Sequence, residues 1–320
     1  MDSPEVLVEV IRSGFVEGHH RGSVVALATD GSLSWSIGEV NAPIFPRSCN
    51  KPLQAVGMLR HGLDLDGELL ALVGGSHSGE AFHIEGVRRI LATAGLDESE
   101  LLTPADLPLD EEARVACLRD GVVPSPILMN CSGKHAGMLA TCVANDWPTR
   151  TYLEPDHPLQ VALAEAFADL TGEPIEAEGV DGCGAPLFSA SLTGLARSFA
   201  ALVKAPAGSP ERRVADAFVA HPEYASGSRR DEAALLRAIP GAVGKGGAEA
   251  CYGLALPDGR AVALKIDDGA FRARPVAMAA ALRRLGVDRE PGVDGAALLA
   301  TGDTPLLGGG VRVGELRARI

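Results

Sequence analysis

Apolar and polar residues alternate along residues 5–40, in V-L-V-E-V, S-V-V-A-L-A and L-S-W-S-I. A period of two is that of half-buried strands, and the stretches E-G-H-H-R-G and T-D-G-S read as the turns between them. From Ser48 to about Gly241 the period lengthens. A-F-H-I-E-G-V-R-R-I-L, H-P-L-Q-V-A-L-A-E-A-F-A-D-L and E-R-R-V-A-D-A-F-V carry apolar residues at three-and-four spacing, which predicts helices with one buried stripe. C-Y-G-L-A-L, the turn P-D-G-R and A-V-A-L-K-I then predict a second hairpin, followed by a helix in P-V-A-M-A-A-A-L-R-R-L. Strand patterns at both ends with helices between them argue against a regularly alternating parallel fold. They predict an α/β (α+β) chain whose antiparallel sheet is built from both termini around a helical region. No internal repeat occurs, and A-P-A-G-S-P at 205–210 reads as a loop within one unit. The expectation is a single domain over 1–320, with a sheet lobe from about 1–45 and 245–320 and a mainly helical lobe over about 46–244.

Composition narrows the function classes. The chain has 320 residues, 46% of them hydrophobic, enough for a large core. No apolar run approaches the length of a membrane span, so no membrane role is expected. A net charge of −13 with no basic stripe repels a polyphosphate backbone, so nucleic acid is not an expected partner. Six cysteines are spread widely and suit reduced thiols, and M-D-S-P-E-V-L-V-E-V has no export-like pattern. The expected location is cytoplasmic.

The chemistry begins at P-R-S-C-N-K-P-L-Q. A helix starting near Ser48 puts Lys51 one turn on and on the same face, where its amine can approach the hydroxyl. A lysine acting as base must be neutral, and desolvation and a nearby cation such as Arg47 favour that state. Alone, S-x-x-K is equally a capped helix start with a solvated lysine. Its company matters: loop serines follow in G-G-S-H-S-G-E, containing Ser76 and Ser78, and a strand lysine, Lys265, in A-L-K-I-D-D-G. That order resembles serine β-lactamases and penicillin-binding proteins, although the S-D-N and K-T-G triplets are absent. Lys245, in G-K-G-G-A-E, is the rival second lysine. His77 and His83, six apart, lack the spacing of a histidine metal site, and read as a loop residue with satisfied hydrogen bonds and a helix-face residue.

N-C-S-G-K-H-A-G (130–137) and D-G-C-G-A-P (181–186) each set a cysteine among small residues, where backbone can approach a ligand closely. Cys131 and Cys183 with an intervening His or Lys are either a soft-metal site or buried structural thiols. Taken together, P-R-S-C-N-K-P-L-Q, S-H-S-G-E-x-x-H, N-C-S-G-K-H-A-G-M-L, D-G-C-G-A-P and A-L-K-I-D-D-G closely resemble the Rhizobium-type L-asparaginase II family. The resemblance implies a serine β-lactamase-like fold, a homodimer, and hydrolysis of L-asparagine to L-aspartate and ammonia. It implies Ser48 with Lys51, and Ser78 with Lys265, as two catalytic Ser-Lys pairs, and Zn2+ on Cys131, Lys134 and Cys183. A free amino acid also needs receptors for its two charges: Arg47 for the α-carboxylate, and Asp181 or Glu80 for the α-ammonium. His135 would orient substrate or metal-bound water, or cap the following helix. The alternatives are a β-lactamase-like hydrolase of another amide and a non-catalytic amino-acid-binding protein.

Overall fold

The computed structural model describes residues 5–320; the first four residues of the expected sheet lobe lie outside the described residues. Strands in chain order are β1 (Val6–Arg12), β2 (Phe15–Leu27), β3 (Leu33–Ile37), β4 (Glu178–Val180), β5 (Pro186–Phe188), β6 (Val243–Gly246), β7 (Cys251–Ala255), β8 (Ala261–Ile266), β9 (Pro305–Gly308) and β10 (Val311–Ala318). The helices are α1 (Lys51–Arg60), α2 (Gly67–Val73), α3 (Ala81–Thr93), α4 (Glu111–Arg119), α5 (Ser132–Ala144), α6 (Pro158–Thr171), α7 (Leu192–Lys204), α8 (Pro210–Ala220), α9 (Pro222–Ala225), α10 (Asp231–Ala238), α11 (Ala273–Arg284) and α12 (Gly295–Thr301). Two compact units emerge. The first holds residues 5–49, 190–204 and 234–320, and the second holds 50–189 and 205–233.

The first unit is built on an eight-stranded antiparallel sheet in the order β6-β7-β8-β2-β1-β10-β9, with β3 also paired to β2. Strands from the beginning and end of the chain are therefore neighbours, as the hydrophobic pattern predicts. One turn is not where that pattern puts it. E-G-H-H-R-G lies inside the long β2, and the chain reverses earlier, at Ser13 and Gly14, whose φ values of 50° and 81° are those of a two-residue hairpin turn. The glycine in the strand has a different use. A Cβ at Gly22 would lie 2.1 Å from the Lys265 carbonyl oxygen, so Gly22 is what lets β8 pair closely with β2. T-D-G-S and P-D-G-R do form turns, the first with the Asp30 carboxylate accepting from the Ser32 amide and hydroxyl.

Alternation along β7 and β8 assigns the two faces. Tyr252, Leu254, Val262, Leu264 and Ile266 join Val276, Met278 and Leu282 of α11 in one buried core. On the other face the register places Cys251 opposite Lys265, Gly253 opposite Ala263 and Ala255 opposite Ala261. These are mostly small residues. They let α7 lie close, with Phe199 where a Cβ on Gly253 would be. Lys245 on β6 pairs with Gly253 and so projects from this same face as Lys265.

The second unit is mainly helical, with β4 and β5 as a short antiparallel hairpin. Its centre is α1, buried on all sides from Lys51 to Leu59, as befits a helix whose polar side chains over that span are only Lys51 and Gln54. Gly57 of α1 meets Leu163 and Ala166 of α6, while Gly133 and Gly137 of α5 meet Leu72 and Val73 of α2. Small residues at these crossings let the helix backbones approach. Among the described residues no helix is long and apolar enough to cross a membrane.

Candidate active site

In the first unit, Ser48 lies on a single 3-10 turn, Arg47–Asn50, which runs directly into α1. The turn is packed on the end of β6. The Cys49 thiol donates to the Lys245 carbonyl at 3.0 Å, and Gly247 sits so close that a Cβ would lie 2.6 Å from the Pro46 carbonyl oxygen. Arg47 holds a left-handed backbone at φ 53°, as do Glu249 and Ala250 at 55° and 50°. Such conformations are costly for residues other than glycine and cluster at functional sites. Arg47 and Glu249 face each other, Nη1 to Oε1 at 3.8 Å. Lys265 donates to the carbonyls of Glu249 at 2.7 Å and Ile266 at 3.0 Å, whereas Lys245 is buried and donates to Gly246 O. Burial, together with the neighbouring Cys251, pushes the Cys49 thiol well up, which leaves it an unreactive packing group.

In the second unit, the fully buried Lys51 amine donates to Gly75 O at 2.8 Å, Ser76 Oγ at 2.9 Å and Cys131 Sγ at 3.1 Å. None of these hydrogen-bond partners is a carboxylate. The serine on this amine is Ser76, two residues before the Ser78 selected from the sequence. Ser78 is itself buried, under Gly227, whose Cβ would fall 2.1 Å from the Ser78 hydroxyl. Glu80 starts α3 and spends both carboxylate oxygens on Ser228, from its amide at 2.8 Å and its hydroxyl at 2.5 Å.

Cys131 connects Lys51 to the second motif. The Cys131 thiol donates to Asn130 Oδ1 at 3.0 Å, and the neighbouring Cys131, with Lys134 adding to the effect, holds Cys183 far below the ordinary thiol range. Cys183, with burial, in turn drives Cys131 well up. Burial alone would lower Lys134, but Cys183, Cys131 and Asp181 outweigh it and hold its ammonium above the usual value, 3.2 Å from Cys183 Sγ. Cys183 is carried on a tight turn in which Gly184, at φ 88°, lets the Asp181 carbonyl accept from the Gly184 amide; the Asp181 carboxylate accepts from Gly182 N at 2.9 Å. His135 shares a hydrogen bond with Tyr152 at 2.7 Å, and its buried Nε2 has no hydrogen-bond partner. Burial pushes His135 down to about 4.

No cluster of three or more His, Cys, Asp or Glu side chains that could hold a metal occurs among the described residues. The donor set here is two thiols and an amine, with an orphaned imidazole nitrogen beside them. That set fits zinc in kind, provided Cys131 and Lys134 each release a proton to it.

Sequence reading missed Ser76 as the Lys51 partner and Glu249 as the partner of Arg47. The first was visible as a second serine in the same loop; the second had no local signal. A surface groove of about 530 Å3 among Val276, Arg283, Arg289 and Arg317 contains none of these residues.

Comparison with solved structures finds chains of similar arrangement. A beta-lactamase from Mycobacterium bovis matches at TM-score 0.46 and 16% identity, covering 82% of this chain and 94% of that one. The protein Mglu in its native form matches at TM-score 0.46 and 14% identity, covering 84% of this chain and 64% of that one. Simvastatin synthase from Aspergillus terreus matches at TM-score 0.42 and 11% identity, covering 82% and 93%. At these levels nothing about substrate or mechanism carries over. No curated protein matches the sequence. The L-asparaginase II family model, however, matches residues 8–318, from the first strand of the sheet to the last, and on that span the chain belongs to the L-asparaginase II family of amidohydrolases.

Proposed function

We propose that this chain hydrolyses L-asparagine to L-aspartate and ammonia, with Ser48 as nucleophile and Lys51 as its base. The observation that carries the reading is the buried Lys51 amine, hydrogen-bonded to a serine hydroxyl, a thiol and a carbonyl. A general base for a hydroxyl has to be desolvated and held within hydrogen-bond reach of its relay. The Lys51 amine takes the Ser48 proton as Oγ attacks the side-chain carboxamide carbon. The C–N bond then breaks as Ser76, fed by the Lys51 ammonium, passes a proton to the leaving nitrogen. Water attacks the resulting ester as Lys51 takes its proton, and the ester C–O bond breaks as the Lys51 ammonium passes that proton to Ser48 Oγ, giving aspartate, free Ser48 and the neutral amine.

Ser76 takes this relay in place of Ser78 because its hydroxyl is the one on the lysine. Lys245 is the better second lysine because the turn carrying Ser48 is bonded to its carbonyl; its amine, like that of Lys265, donates to backbone carbonyl oxygen. Arg47 receives the α-carboxylate. Asp181 receives the α-ammonium in preference to Glu80, whose oxygens are taken by Ser228. Cys131, Lys134 and Cys183 would hold a zinc ion, which when bound would supply positive charge beside the Lys51 amine; metal analysis of the isolated protein and of Cys183→Ser checks this, and a metal-free active wild type would refute it.

Ammonia and aspartate release from L-asparagine tests the whole reading. The wild type should turn over, Ser48→Ala should fall to background with its fold intact, and Lys245→Met should lose far more than Lys265→Met. Absence of turnover in the wild type, with or without zinc, returns the chain to another amide.

A further inference from the structure

Two imidazoles that the proposed chemistry does not use lie under the loop that carries Ser76. His77 and His83 are both fully buried, and their rings stack with centroids 5.3 Å apart at 22°. Their hydrogen bonds leave no freedom of tautomer. Nδ1 of His77 accepts from the Gly79 amide at 3.1 Å, and Nδ1 of His83 accepts from the Glu80 amide at 3.2 Å. Each proton therefore sits on Nε2. His77 donates it to Ser132 Oγ at 2.7 Å, which passes a hydrogen bond to Ile127 O at 2.7 Å; His83 donates to Glu223 O at 2.9 Å. Two consecutive loop amides are thus gripped by a pair of neutral rings, each anchored to a different part of the helical unit.

The same loop is also held through its backbone. Ser76 N donates to Ala225 O at 3.0 Å, His77 N to Asn130 O at 3.0 Å, and Asp110 N donates to Ser78 O at 2.9 Å. The loop between Gly75 and Glu80 has no helix or strand of its own. What fixes the direction of the Ser76 hydroxyl toward Lys51 is this set of contacts together with the Lys51 amine on Gly75 O and the Glu80 carboxylate on Ser228, and the imidazole ones are those in which a side chain of the loop motif grips the loop's own amides.

We infer that His77 is a positioning residue for the hydrolysis, and that it acts through the Gly79 amide by holding the loop so that Ser76 Oγ stays at the Lys51 amine, with His83 as its partner on Glu80. The inference rests on the asparaginase reading for its kinetic test. A residue that accepts from the amide two positions on can be replaced by asparagine, whose Oδ1 makes the same turn. Glutamine instead keeps a donor for Ser132 but no acceptor for Gly79, and leucine keeps neither.

The experiment compares His77→Asn, His77→Gln and His77→Leu by kcat, KM, and hydrogen exchange over residues 75–80, at temperatures where each remains folded. His77→Asn should keep kcat within a few fold. His77→Gln and His77→Leu should lose about 10²-fold in kcat, the scale of a misplacement near 1 Å, with KM little changed and faster exchange in the loop. The inference is overturned if asparagine does no better than leucine, if leucine keeps kcat, or if loop exchange is the same in all three. Should the wild type fail to hydrolyse asparagine, the asparaginase reading falls, and the exchange pattern alone still decides for or against the positioning role.

Discussion

His77 is a titratable side chain kept neutral by its surroundings, and that has a measurable sign. Burial comes first, with His83 and Lys51 facing it, and together they hold His77 well below the usual imidazole value. Burial also lowers His83, against Glu80, Glu223 and Asp110 on its other sides. Below about pH 6.5 the unfolded chain binds protons at both residues that the folded chain refuses, so stability falls as pH falls through that value. The slope from one such histidine is about 1.4 kcal/mol per pH unit. Thermal melts at pH 7.5 and 5.5 should show His77→Asn losing less than the wild type, and equal losses would contradict the assignment. At this scale the sequence was legible only in part. S-x-x-K marked Ser48 and Lys51, but which loop serine meets the lysine, 25 residues on, depends on how G-G-S-H-S-G threads between Ala225 and Asn130. No local pattern encodes that.

At the level of elements, the close seating of α7 on the sheet depends on the small residues of β7 and β8. Gly253→Ala would place a Cβ 2.5 Å from the Phe199 ring, and overpacking of this kind costs about 1–3 kcal/mol. The expected result is a lower melting temperature, recovered in part by Phe199→Leu; additive losses would show that the two residues do not share the site. Here period was a good guide and turn chemistry a poor one. C-Y-G-L-A-L and A-V-A-L-K-I alternate large and small residues because one face fills the core with α11 and the other seats α7. In contrast, E-G-H-H-R-G looked like a turn because glycine signals reversal and close approach alike. The strands β4, β6, β9 and β10 escape notice because their residues are glycine-rich or exposed, with no clean alternation.

For the molecule as a whole, the both-ends origin of the sheet was legible, since strand periods occur only near the termini. The pairing that results is testable. β10 covers β1 from Val8 to Arg12, so deleting residues 305–320 leaves an apolar edge open to other chains. The truncated protein should melt earlier and form larger species in size-exclusion chromatography; an unchanged monomer or dimer peak and melt would mean the edge is otherwise protected. The same topology sets a schedule for synthesis. β2 ends at Leu27 and its partner β8 begins at Ala261, so on a ribosome adding about 5–20 residues per second the first hairpin waits roughly 10–50 s for its neighbour. Throughout that interval the nascent chain carries a finished hairpin with an unsatisfied flank while the helices emerge behind it. Yield in the cell is therefore governed by what shelters that flank during translation as much as by the stability of the finished fold.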